Sequence, residues 1–136
     1  MRQIKYGKDV PGQLYIGRVG NKLLAISIGS RGPFEFIDVF NKAATAYAKN
    51  FKEEFIEIYL DLLSCLGNKS NRFAKIIYDK KKGQVDIFSV EEIEKDKLPP
   101  EIRKELIKFY KQKVNLILEK SILTNREKQK ISQNPL

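Results

Sequence analysis

The densest chemistry in this chain is cationic. Lys80, Lys81 and Lys82 stand in a row directly before Gly83, between the β-prone runs Arg72-Phe-Ala-Lys-Ile-Ile-Tyr78 and Gln84-Val-Asp-Ile-Phe-Ser-Val90. This pattern predicts a hairpin with lysines at its tip. Three adjacent ammonium groups repel one another, so the tip gains little stability from them, and their natural use is to meet a polyanion. Arg18, Arg31, Arg72 and Lys75 add candidate phosphate contacts on other β-type runs and one loop, Gly29–Pro33. Aromatic residues are interleaved with them: Tyr15 near Arg18, Phe34 after Arg31, and Phe73 between Arg72 and Lys75. On an open sheet such rings can stack on unpaired bases while lysines follow the backbone, as single-strand binders do. The competing expectation is plainer. Surface lysine is common, and any one aromatic is more often packed in a core than stacked on a base.

Charge is segregated as a binding surface would need. The chain has 136 residues and a net charge of +9. Residues 1–34 carry +5, residues 67–90 carry +4 and residues 99–136 carry +5, whereas the remaining segments are acidic. A balance this basic implies an acidic partner.

Catalysis finds little support. Histidine is absent and Cys65 is the one cysteine, so neither a Ser-His-Asp triad nor a Cys-His pair nor a cysteine-histidine zinc site can be built. Cys65 falls on an apolar helical face and reads as an inert core residue that suits a reducing compartment. Glu35, Asp38, Asp79 and Asp86 are candidates for a carboxylate-bound Mg²⁺, but they lack a nuclease-like spacing, and Asp86 facing Lys75 gives a simple ion pair instead. The Gly29-Ser-Arg-Gly32 loop has backbone N–H groups to offer an anion, without any phosphate-loop signature around it.

The elements that position these residues follow from periodicity. Gln13–Val19 and Lys22–Ile28 flank Gly20-Asn21 and form a first hairpin. Phe34–Ile37 is expected as a third strand. Phe40, Ala44, Tyr47, Phe51, Phe55, Ile58, Leu62 and Cys65 recur at spacings of three and four, which predicts a long helix over residues 42–66, capped by Asp38 or Asn41 and ended by Gly67. After the central hairpin, Glu91–Lys97 reads as an acidic connector. Leu98-Pro-Pro100 then opens a second helix carrying Ile102, Leu106, Phe109 and Tyr110. In the 72–79 strand, Ala74, Ile76 and Tyr78 look inward and Phe73 and Lys75 outward, with the opposite registration still open.

The expectation is therefore an α+β fold of order β-β-(β)-α-β-β-α: an antiparallel sheet built from hairpins, with two helices packed on one face and the other face open. Residues 1–120 form one domain, and residues 121–136 a basic tail, frayed helix or mobile. No apolar run is long enough for a bilayer, and Met1–Lys5 lacks a secretory pattern, so a cytoplasmic protein is expected. The expected function is non-enzymatic and cofactor-free binding of nucleic acid, single-stranded in preference to duplex, with a homodimer as a way to double the basic surface. The alternative is a protein-interaction or assembly module, such as a viral or mobile-element adaptor, that recognises an acidic partner. A Mg²⁺-dependent nuclease ranks below both.

Overall fold

The structure, a computed structural model, describes residues 1–10, 12–28, 37–61 and 72–112. Among these residues six strands form one sheet: β1 (Arg2–Lys5), β2 (Gln13–Val19), β3 (Lys22–Ile28), β4 (Phe55–Asp61), β5 (Arg72–Asp79) and β6 (Gln84–Glu94). Their spatial order is their chain order, leaving β1 and β6 as the edges. One helix, α1, spans Ile37–Ala48, and a second, α2, runs from residue 100 through residue 112 after a 3₁₀ turn at Lys95–Lys97. All neighbouring strands are antiparallel except β3 and β4, which pair in parallel with Leu23 opposite Ile58. A parallel pair cannot be closed by a tight turn, and α1 lies in the crossover that joins them. Contacts cluster into two compact units, Met1–Arg103 and Lys104–Leu136.

The α+β class and the hairpin-built sheet are as expected. The helix expected over residues 42–66 is shorter: α1 ends at Ala48, Phe55–Asp61 is a strand, and residues 62–66 lie outside the described residues. α1 ends at Ala48, where Phe51 N–H donates to Ala48 O at 3.0 Å, and the chain re-enters the sheet as Phe55-Ile-Glu-Ile-Tyr-Leu-Asp61. β4 is paired on both sides and buried on both faces, so it reads as a nearly continuous apolar run. In such a run, spacings of three and four occur by chance and periodicity loses its power to tell helix from strand. Its β-branched and aromatic residues were the better signal. Asp38 and Asn41 lie inside α1, with Asp38 in its first turn, and neither precedes it as a cap. The segment read as an acidic connector mostly continues β6, to Glu94. The expected strand residues Phe34–Phe36, the Gly29–Pro33 loop, Cys65 and Gly67 lie outside the described residues, as does the 121–136 tail.

The core follows the pleat. Leu14, Ile16, Leu23, Ala25, Ile56, Ile58, Leu60, Ala74, Ile76 and Tyr78 share one sheet face and pack with Phe40, Ala43, Ala44 and Ala48 of α1. Ala74, Ile76 and Tyr78 thus point inward as the alternation suggested. The alternate positions make the second face, and it is covered too. Tyr15, Leu24, Ile26, Tyr59 and Phe73 are all buried there, as are Leu98 and Ile102 beyond the sheet. Lys22, on the second face with Leu24, pairs with Glu101 at 3.2 Å, which sets the first turn of α2 on the side opposite α1. The expectation of a sheet face open to solvent is therefore corrected: apolar residues alternate with apolar residues on the central strands, and both sides need cover. Within the second unit, Leu106 and Phe109 are buried, and the Phe109 ring meets Tyr110 edge-on at 5.8 Å.

Candidate functional site

The basic hairpin tip exists, and two of its three lysines also make contacts within the fold. The turn between β5 and β6 is organised by Asp79, whose Oδ1 accepts the backbone N–H of Lys81 at 3.0 Å and of Lys82 at 3.4 Å. Gly83 closes it at φ +65°, a left-handed conformation that favours glycine, and its N–H donates to Asp79 O at 2.9 Å. Lys80 Nζ donates to Phe51 O, and Lys81 Nζ pairs with Glu54 at 2.9 Å. That carboxylate raises the Lys81 pKa, first through the hydrogen bond and then through its charge. Lys80 and Lys81 thus reach the segment leading into β4, although all three lysines are exposed, Lys81 with 82% of its side chain.

The other basic candidates fare similarly. Arg18 donates from Nε to Gly20 O at 2.9 Å and from a terminal nitrogen to Asn50 O at 3.1 Å, and its guanidinium lies 4.2 Å from the Phe51 ring centre. It ties the first hairpin to the end of α1. Lys75 pairs with Glu91 at 3.6 Å and not with Asp86. Asp86 sits opposite Ile77 in the register that the turn sets from Asp79–Gln84, and the register shift between Lys75 and Ile77 brings Glu91 opposite Lys75. Arg72 opens β5, opposite Glu94. Arg31 and Phe34 lie outside the described residues.

The two described stacking candidates are core residues. Tyr15 is 6% exposed and Phe73 3% exposed, both on the second sheet face. The Tyr15 hydroxyl donates to Gln13 Oε1 at 2.9 Å. Neither ring has a face to offer a base. Nearby Tyr59 donates its hydroxyl to Glu57 at 3.0 Å, and burial, reinforced by Glu57, pushes its pKa far above the usual phenol range. Of the Mg²⁺ candidates, Glu35 lies outside the described residues, Asp38 lies in α1, Asp79 holds the turn and Asp86 holds a backbone amide. Among the described residues no group of three or more metal-ligating side chains converges. No described helix is long and apolar enough to cross a membrane.

Sequence reading missed an irregularity in β6. Lys75 faces Glu91 and Ile77 faces Asp86, so the single residue Ile76 stands across from four, Ile87–Val90. This wide bulge is held by its own hydrogen bonds. Phe88 N–H donates to Asp86 Oδ1 at 3.0 Å, Ser89 Oγ donates to Asp86 O at 2.6 Å, and Ile77 N–H donates to Ser89 Oγ at 2.8 Å. Ser89 therefore replaces the strand carbonyl that the bulge has moved away. The consequence is exposure: Phe88 is 92% exposed and Ile87 57%. Only a β-prone run with Phe and Ile at adjacent positions hinted at this, because one of two adjacent residues in a regular strand must face away from the core.

What these features define is a small α+β protein with filled sheet faces, no assembled catalytic centre among the described residues, and one bulged edge strand that shows apolar side chains to solvent. Residues 23–124, three quarters of the chain, match the sequence profile of the RnlB antitoxin family, described as antitoxin to the bacterial toxin RNase LS or RnlA. The chain belongs to that family. Comparison with curated proteins and with solved structures finds no match. The family match corrects the expected function and partner. Antitoxins of this family are directed at a protein toxin, so the alternative reading, a protein-interaction module, replaces nucleic-acid binding. The buried Tyr15 and Phe73 agree with that correction.

Proposed function

We propose that this protein neutralises a ribonuclease toxin of the RNase LS or RnlA type by binding it, in the cytoplasm and without catalysis of its own. The observation that carries this reading is the family match over residues 23–124, which takes in α1, β3 to β6 and the described part of α2. Arg18, Lys80 and Lys81 brace the fold's own turns, which suits it to act as a rigid surface, because a preformed interface loses little entropy on binding. Co-expression tests the reading. An RnlA-type toxin expressed alone should arrest bacterial growth, and expressed with this protein should not. Continued arrest, with both proteins present at comparable soluble levels, would reject it.

A further inference from the structure

The β6 edge combines three properties that an isolated, soluble protein has no need to bring together. It is the last strand of the sheet. It displays Ile87, Phe88 and Val90, exposed by 57, 92 and 39%. It also carries Asp86, Glu91, Glu92 and Glu94 without a single lysine or arginine between Gln84 and Glu94, in a chain whose net charge is +9. Charged residues on an edge strand are a common protection against edge-to-edge pairing, and the carboxylates alone would need no further explanation. Phe88 does. A nearly fully exposed phenylalanine costs solubility, and here it is held by a hydrogen-bonded bulge in which Asp86 and Ser89 fix the backbone. An aromatic anchor surrounded by charge is the composition of a binding hot spot and its rim.

The charge selects the occupant. A ribonuclease must present lysine or arginine to the phosphates of its substrate. Resting on the antitoxin reading above, we propose that the bulged β6 edge is the toxin-binding surface, with Phe88 as its apolar anchor and the neighbouring carboxylates set against the basic RNA-binding surface of the ribonuclease. Bound there, the strand would occupy the place of the RNA backbone, so inhibition would come from exclusion of substrate. The hairpin tip, with Lys80, Lys81 and Lys82, would be repelled by the same surface, which favours docking through this edge over docking through the tip.

Calorimetric titration of a purified RnlA-type toxin with the full-length protein and three variants tests this. Phe88→Asp should weaken binding about tenfold or more, as loss of a central anchor does. Glu94→Lys should weaken it several-fold at low salt and less at high salt, because the contact is electrostatic. Lys82→Glu, at the exposed hairpin tip, should leave the affinity within about twofold, as expected for a residue outside the interface. Phe88 and Glu94 are both exposed, so thermal melts matching the native protein will confirm that the variants fold. If the native protein binds and Phe88→Asp binds equally well, the edge assignment is wrong while the antitoxin reading stands. Loss at Phe88 without loss at Glu94 would overturn the RNA-site occupant. If the native protein does not bind the toxin, the antitoxin reading itself fails.

Discussion

Individual side chains here mostly serve the fold, and that is where their substitution should be read. Arg18 covers Phe51 and bonds two carbonyls, so Arg18→Ala should lower unfolding stability by about 1 kcal/mol, measurable by denaturant titration. Phe73→Ala should cost about 3 kcal/mol or more, the range for removing a buried ring, whereas an exposed stacking platform would tolerate the change. Tyr59 supplies a pH test. Its folded pKa is raised above the ordinary 10.0, so the folded state holds the phenolic proton more tightly than the unfolded chain. Its contribution is fully present below pH 10 and is lost as pH rises beyond that value. Thermal melts should therefore decline in alkaline solution, and Tyr59→Phe should make that decline shallower. An unchanged decline would mean that lysine deprotonation alone drives it.

At the level of strands and helices, legibility in the sequence tracked the solvent. The first hairpin, with Gly20 at φ +62° in its turn, and the proline-led start of α2 carry local chemical signals and were readable. The central hairpin was readable in place but not in register, because nothing in Gln84–Glu94 announces that Ile76 faces four residues. β4 was read as helix because burial on both faces erases alternation. The same cause hid the cover on the second sheet face: Leu24, Ile26, Tyr59 and Phe73 are apolar at positions where a one-sided sheet would be polar. The lysine tip was visible as composition, but its partners Phe51 and Glu54 lie in the connection between α1 and β4, and only the tertiary fold brings them together. Ser89 gives the corresponding prediction. Ser89→Ala leaves Ile77 N–H without its acceptor and should destabilise the protein by about 1–2 kcal/mol, with faster amide exchange confined to the β5–β6 pair.

Over the whole molecule, a net charge of +9 first suggests nucleic acid, and family membership redirects it to a protein. The two can be reconciled through where the charge sits. Arg18, Lys80 and Lys81 brace turns and the end of α1, while the bulged strand β6 is acidic and apolar. Net charge reports on solubility and encounter; a partner is chosen by a local surface. The most direct test of the account is RNA cleavage by a purified RnlA-type toxin, followed with increasing amounts of this protein. Cleavage should fall to zero near one equivalent, and the protein alone should bind the RNA weakly, with binding lost at physiological salt. Undiminished cleavage at an excess of protein, or inhibition only when enough protein is present to coat the RNA, would contradict the account.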